Sequence, residues 1–455
     1  MKKILLFALD NHIVDAILSE TDWVIATLVV PTDMYKEQYA EVERIKKIYT
    51  RYDFHRNKDL SGLDFKELEK FSHAQLRSEN FYLRFLSDYQ LGKYDYYCGF
   101  ALAKRIFEEN VFDMVIVDGL NEGRPSDMLL TEMAKYRGIP SYNTDASLVW
   151  KACIYDNTAE MMIPIQRDRT ISIKESIFYE NHLLDQLNPQ VVYAHPVLNN
   201  QVAQRIEALV YRLFGQVGVD VCSCLYTLSN RRNTMGLTFS ERFQSYRQGR
   251  KVKKWLENHM VSADLQKKYV FFALHYEPEA SISGRGLMDS QLIAIRILSQ
   301  LLPTGWVLYV KEHPDQFKVN DRVVYGYPVS RFKTVRFYEE LMSFPNVRLV
   351  HTNISSKLLI QECQAVATIA GTILGEAISL KKPILTFAPQ RLIYRMLKEA
   401  YNITSYDDCA AAIQEIQAKK NIEYADWEEV CQRYLFDVTA EGYKEAVSTL
   451  YARHS

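Results

Sequence analysis

Residues 269–281 read YVFFALHYEPEAS, residues 286–302 read GLMDSQLIAIRILSQLL, and residues 303–314 read PTGWVLYVKEHP. Tyr269–Leu274 and Trp306–Val310 are short, strongly apolar runs, each ending in a burst of polar and ionisable residues. The stretch between them carries apolar residues at helical spacing. This is a β-α-β unit with its chemistry at the carboxyl ends of the strands, where open α/β sheets bind ligands.

The pattern continues downstream. NVRLVHTNIS at 346–355 reads as a strand, Ser356–Cys363 as a helix, Val366–Ala370 as a strand, Gly371-Thr372 as a turn, Gly375-Glu376-Ala377 as a helix start and Pro383–Phe387 as another strand. Repeated strand, turn and helix of this length predict a Rossmann-like sheet. A helical tail follows from Tyr394. Upstream, Lys3–Leu9, Trp23–Val30 and Phe112–Val117 are buried-strand runs, with a helical pattern around Ile13–Leu18. No G-x-G-x-x-G follows the first of these strands, so a dinucleotide fingerprint is absent. The expected organisation is a first Rossmann-like domain at 1–150, a helical and irregular connecting region at 151–265, a second Rossmann-like domain at 266–395 and a helical tail at 396–455.

Bulk composition fits this division. A chain of 455 residues, 48% apolar and 24% charged, is globular and long enough for two or three domains. A formal net charge of −1 gives no global field for nucleic acid. The amino-terminal MKKILLFALDNH has too short an apolar run for a signal peptide and reads as a first strand. No stretch approaches the roughly 20 apolar residues of a membrane helix. Seven scattered cysteines, Cys98, Cys153, Cys222, Cys224, Cys363, Cys409 and Cys431, make no disulfide framework and read as reduced packing residues of a cytoplasmic protein.

Two segments carry alternative readings. The aromatic text YLRFLSDYQLGKYDYYCGF at 82–100 is either a sugar-stacking groove or, as its bulk favours, core and interdomain packing. Arg231, Arg232, Arg242, Arg247, Arg250, Lys251, Lys253 and Lys254, with Phe239, Phe243, Tyr246 and Trp255 among them, form either a solvated helix face or a contact for anionic headgroups or a charged glycan.

The candidate chemistry lies at strand ends. Lys311, Glu312 and His313 follow a strand directly, and Pro314 fixes the backbone behind them. A lysine and a histidine together can stabilise a phosphate that becomes a leaving group; the other reading is a structural turn. In Gly371, Thr372, Ile373, Gly375 and Glu376, the glycines let backbone approach a ligand, the helix start offers N–H groups to phosphate, and the glutamate can accept ribose hydroxyls. The other reading is a tight turn with a dipole-favoured Glu. His275, Glu277, Glu279 and Ser281 close the first strand. Either glutamate is a base toward an acceptor hydroxyl or a nucleophile that holds a sugar covalently, unless both are merely solvated. Ser281, Ser283, Gly284 and Gly286 make a small-residue loop, and Asp289, Ser290 and Gln291 read as the cap of the next helix. In the first domain, Asp118-Gly119 with Glu122 is either a turn or a reserve acceptor base.

In order, HYEPEAS, a helix, LYVKEHPDQ and VATIAGTILGEAISLKKPIL resemble the capsule polysaccharide synthesis family of bacterial glycosyltransferases. LYVKEHPDQ is also similar to the histidine-proline motif of transferases using CMP-activated Kdo or sialic acid. The resemblance spans about 120 residues, Tyr269 to Phe387. It implies an α/β GT-B protein with two facing Rossmann-like domains, the donor nucleotide held mainly by the carboxyl-terminal one. It further implies that His313 and Lys311 hold the donor phosphate, that Thr372 and Glu376 lie at the nucleotide, and that Glu279 occupies the position of an acidic residue, usually aspartate, in Kdo-transferring relatives. The chain departs from them in carrying glutamate there.

The expected protein is therefore a glycosyltransferase of capsule or lipopolysaccharide biosynthesis. Its donor is a CMP-linked ulosonic acid such as Kdo and its acceptor a glycan or lipid-linked glycan. No metal is expected, because no D-x-D pair sits at a strand end and Lys311 with His313 can offset leaving-group charge. It would be cytoplasmic, with peripheral contact at the inner face of the membrane through the basic stretch. The alternatives are a UDP-sugar transferase, an epimerase on the same scaffold, or a non-catalytic glycan-binding member.

Overall fold

A computed structural model describes residues 1–82, 89–119, 125–148, 150–173, 212–213, 239–277, 282, 290–313, 316, 332–387, 392–418 and 422–455. The first sheet begins with β1 (Lys3–Phe7), β2 (Val24–Val30), β3 (Ile48–Thr50), β4 (Met114–Asp118) and β5 (Ser141–Leu148), all parallel, in the order β3-β2-β1-β4-β5. The runs KILLF and VIATLVV are buried almost throughout, as parallel strands covered on both faces must be. After β1, the Asp10 side chain accepts the His12 N–H at 2.8 Å and starts the helix Asn11–Glu20, which buries Ile13, Val14, Ala16 and Ile17 against the sheet.

This sheet runs past the expected boundary at residue 150. At Trp150 the backbone takes a positive φ of 56°, and the chain reverses into β6 (Lys151–Asp156), antiparallel to β5, and then β7 (Met161–Ile163) on β6. The start of the expected connecting region is thus part of the first sheet. Of the remainder of that region, residues 174–211 and 214–238 lie outside the described residues.

The second sheet contains β8 (Tyr269–Ala273), β9 (Val307–Lys311), β10 (Val347–Val350), β11 (Ala365–Thr368), β12 (Ile384–Thr386) and β13 (Tyr401–Asn402). All are parallel, in the order β10-β9-β8-β11-β12-β13. Strand order reverses between β8 and β11, the switch point at which such sheets open a crevice. The helix Gln291–Leu301 is capped by Ser290 as expected, its hydroxyl accepting the Ile293 N–H at 3.4 Å. Gly305 takes a φ of 85° in the turn that leads into β9, a conformation that costs glycine nothing.

Alternation along these strands splits the core. Leu308 and Val310 pack with Tyr338 and Leu298 on one face, while Tyr309 packs with Tyr269, Phe271 and Leu359 on the other. That second face also takes Leu148, Cys153, Tyr155 and Met162 of the first sheet, so the two units share apolar packing. The Ile393 N–H also meets the Ser147 hydroxyl at 3.3 Å across the join.

The tail is not simply helical. It supplies β13 to the second sheet and then β14 (Leu435–Asp437), which pairs antiparallel with β6 of the first. The last helix, Ala440–His454, lays Tyr443, Ala446, Val447 and Leu450 into the first core. Arg169 holds this return, bonding Asp437 at 3.1 Å and Glu445 at 2.5 Å. Two Rossmann-like sheets on one chain, the second wholly parallel and the first parallel apart from β6, β7 and β14 at one edge, are the α/β, GT-B architecture expected from the sequence.

Of the aromatic segment, Tyr96 and Phe100 are buried, with Phe71 edge-on to Phe100 at 5.0 Å, whereas Tyr89 and Tyr94 stay exposed. Cys98, Cys153, Cys363, Cys409 and Cys431 are buried free thiols, and Cys222 and Cys224 lie outside the described residues. No described helix is long and apolar enough to cross a membrane.

Candidate functional site

The carboxyl ends of β8, β9 and β11 gather most of the candidate residues. His275, two residues past β8, is 5% exposed, and its Nε2 accepts the Ala370 N–H at 3.0 Å, with the Thr368 hydroxyl 3.2 Å away. The accepted N–H leaves the proton of the neutral ring on Nδ1. The Thr368 hydroxyl also meets the Ala273 carbonyl at 3.0 Å, so β8 and β11 are tied together at the switch point.

The backbone after β8 is pinned from two sides. Gln291 accepts the His275 N–H at 2.7 Å and donates to the Glu277 carboxylate at 2.5 Å. Gln316 accepts the Glu277 N–H at 2.6 Å and donates to its carbonyl at 3.1 Å. Burial pushes the Glu277 carboxyl above its ordinary range, against the opposing pull of Lys333 and the Gln291 bond. Glu279 and Ser281, like Pro314, lie outside the described residues.

At the end of β9, successive side chains diverge, as the period of a strand dictates. The Lys311 ammonium turns to the Ile354 carbonyl at 2.6 Å and the Ser356 hydroxyl at 2.8 Å. Burial lowers its pKa to about 8 even though the Glu376 carboxylate pulls the other way. Glu312 goes to the opposite face, where it accepts the Lys333 ammonium at 2.7 Å and the Tyr338 hydroxyl at 2.5 Å. The same carboxylate accepts the His313 N–H at 2.7 Å, and the His313 ring lies 5.5 Å from the ring of Tyr276.

The turn after β11 brings backbone close for steric reasons. A Cβ on Gly371 would stand 3.0 Å from the Thr368 hydroxyl, and one on Gly375 would stand 3.3 Å from the Tyr394 hydroxyl. Exposed Thr372 precedes the short helix Ile373–Ser379, which carries Glu376 in its first turn. Gly371, Thr372, Ile373, Gly375 and Glu376 therefore stand beside His275 and across from Lys311, as one cluster at the ends of three adjacent strands.

Asp118 does not join this cluster. It is fully buried at the end of β4, accepting the N–H groups of Leu9 at 3.1 Å and Asp10 at 3.2 Å, the Tyr443 hydroxyl at 3.0 Å and the Thr144 hydroxyl. A carboxylate so enclosed is a clamp of the first switch point, not a base open to an acceptor. Glu122 lies outside the described residues.

Sequence reasoning missed Lys333, Tyr338, Gln316 and Thr368, and it read Gln291 only as part of a cap. One signal was available: alternation puts Lys311 and Glu312 on opposite faces, so a buried Glu312 demands a cation from elsewhere. In the basic stretch, Arg247, Arg250, Lys251 and Lys254 are exposed on the helix Phe239–His259, which turns Val252 and Leu256 into the core. Arg231 and Arg232 lie outside the described residues. Among the described residues, no group of three or more His, Cys, Asp or Glu could hold a metal ion.

No family model and no curated protein matches this sequence. Solved structures align over most of its length at low similarity. A UDP-GlcNAc 2-epimerase from Methanocaldococcus jannaschii is 11% identical, covering 99% of this chain and 100% of its own, with a TM-score of 0.27. KpsC, a beta Kdo 2,7 transferase from Thermosulfurimonas dismutans, is 11% identical, covering 87% and 98%, with a TM-score of 0.32. The calicheamicin glycosyltransferase CalG4 is 13% identical, covering 100% and 96%, with a TM-score of 0.22.

Proposed function

We propose that the protein is a glycosyltransferase of bacterial surface polysaccharide assembly, moving Kdo or a related ulosonic acid from a CMP donor to a glycan or lipid-linked glycan. The observation that carries this reading is the convergence of His275, Lys311, His313 and the Gly371–Glu376 turn on the ends of β8, β9 and β11. Cationic and N–H donors gathered at a switch point suit an anionic nucleotide.

In this reading His313 meets the donor phosphate and Lys311 adds positive potential from behind the strand end, so that leaving-group charge is offset by protein groups without a metal. Gly371 lets backbone approach, and Thr372 and Glu376 lie at the nucleotide. The Glu277 carboxyl is already engaged by Gln291 and raised by burial, so Glu277 anchors the loop. Glu279, two residues on, is then the carboxylate that acts as base or nucleophile. Asp118 belongs to the scaffold of the acceptor-side unit. Exposed Arg247, Arg250, Lys251 and Lys254 would draw a cytoplasmic enzyme to an anionic membrane face.

The test is a thermal-shift and calorimetric titration with CMP, UDP, GDP and ADP. A ligand at a hundred times its dissociation constant stabilises the native state by roughly 2.7 kcal/mol. Selective stabilisation by CMP, lost in His313→Ala with the fold intact, is the expected result. Selectivity for UDP would move the assignment to a UDP-sugar enzyme, and turnover of UDP-GlcNAc without any acceptor would make it an epimerase. Silence from every nucleotide would leave a glycan-binding protein.

A further inference from the structure

Lys333 belongs to no motif. Yet its ammonium lies 2.7 Å from the Glu312 carboxylate with both side chains at 0% exposure, the only ion pair among the described residues so completely enclosed. The same ammonium donates to the His275 carbonyl, and the same carboxylate accepts the His313 N–H and the Tyr338 hydroxyl. One buried pair thus touches the chain just after β8 and just after β9.

Stability alone does not account for it. Taking two ions out of water costs several kcal/mol each, and apolar residues of similar volume often serve a core as well or better. Apolar residues cannot supply directional bonds to a carbonyl on one loop and an N–H on the next. We infer that Lys333 and Glu312 are a positioning pair, holding His275 and His313 at a fixed spacing across the carboxyl end of the second sheet. The consequence for nucleotide affinity rests on the transferase reading given above; the positioning itself does not.

Lys333→Met alone leaves Glu312 charged and unpaired in the core, and such a variant can fail to fold. The informative protein is therefore the full chain carrying Lys333→Met, Glu312→Leu and Tyr338→Phe together, which removes the pair without leaving either partner's charge or the Tyr338 hydroxyl buried alone, while Glu277, which also feels Lys333, keeps its Gln291 bond. Hydrogen–deuterium exchange would be read on short peptides covering Ala370, whose N–H bonds His275 and touches none of the replaced side chains. The expected result is exchange at Ala370 about tenfold faster while amides inside β8 and β11 keep their protection, with the urea midpoint lowered by no more than the loss of the His313 N–H and His275 carbonyl bonds. Unchanged exchange at Ala370 overturns the inference. So does a lowered midpoint with all sheet amides loosened together, because the pair would then be mere support.

A second reading is the affinity for CMP and UDP, expected to weaken about tenfold, or about 1.4 kcal/mol. Affinity equal to wild type, with Ala370 exchanging faster, would deny the pair any part in presenting the site. If wild type binds neither nucleotide, the transferase reading falls, and the exchange result still decides the positioning.

Discussion

His275 Nε2 accepts the backbone N–H of Ala370 at 3.0 Å, so a side chain from the loop after β8 closes the turn after β11. Asp118 makes the mirror arrangement in the first sheet, reaching from the end of β4 to the N–H groups of Leu9 and Asp10 after β1. Each switch point is thereby stapled by one acceptor. His275→Ala leaves a partly buried N–H without its acceptor, a loss of about 1–3 kcal/mol. His275→Gln, which can present an oxygen at similar reach, should recover much of it. Urea midpoints of the two variants check this, and equal losses would show that packing of the ring, not the bond, is what matters.

Lys311 titrates in two opposite senses. Its folded pKa, about 8, lies below the ordinary 10.5 because burial disfavours the ammonium. The folded state therefore binds fewer protons than the unfolded one between those values, and this group's contribution to stability rises with pH across that window, by about 3 kcal/mol in all. The ammonium that would attract a phosphate disappears over the same range. CMP affinity should fall as pH passes about 8 while the Lys311-dependent part of stability grows, and Lys311→Met should abolish both trends. Titrations of wild type and variant at pH 7 and 9.5, spanning about 8, would reject this if both lose affinity alike.

Gly371 is sterically fixed rather than flexible. A Cβ there would meet Thr368 Oγ1 at 3.0 Å and Cγ2 at 3.3 Å. Gly371→Ala should therefore destabilise by about 1–3 kcal/mol, the ordinary cost of overpacking. Adding Thr368→Ser should relieve little, since the nearer atom is the hydroxyl, whereas Thr368→Ala should relieve more and give up its bond to Ala273. A coupling between Gly371→Ala and Thr368→Ala in a double-mutant cycle checks the contact, and strict additivity would refute it.

How much of this could be read from the chain depended on range. β8 and β9 announce themselves as YVFFA and VLYVK because strands covered on both faces must be apolar, and the polar burst after each marks the crevice. The GTILGEA turn was legible because close backbone approach demands glycine. Lys333 was not legible: it is one polar residue before a helix, and only the fold carries it 21 positions back to Glu312. Gln291 fits a capping position equally well, and nothing local says that it faces His275. The β5–β6 reversal was hidden for another reason, since KACIYD is short and its turn is made by a tryptophan rather than glycine or asparagine. Asp118 looked like an open strand-end carboxylate because its lid, Tyr443, lies 325 residues away.

That lid gives Asp118 a testable signature. Burial raises its carboxyl to about 6 from 3.8, the hydrogen bonds from Thr144, Tyr443, Leu9 and Asp10 offsetting only part of the cost. Between these values the folded state binds more protons than the unfolded state, so this group makes stability fall as pH rises from about 4 to about 6, by about 3 kcal/mol in total. Asp118→Asn keeps an oxygen for the Leu9 and Asp10 N–H groups and cannot ionise. Its stability relative to wild type should therefore climb through that window and level off above about pH 6. Tyr443→Phe removes one of the donors and should push the wild-type carboxyl higher still, moving the falling limb to higher pH. Chemical denaturation across this range checks both variants. A pH-independent difference between Asp118→Asn and wild type would mean that the carboxyl stays ionised throughout, held by its donors more firmly than burial opposes it.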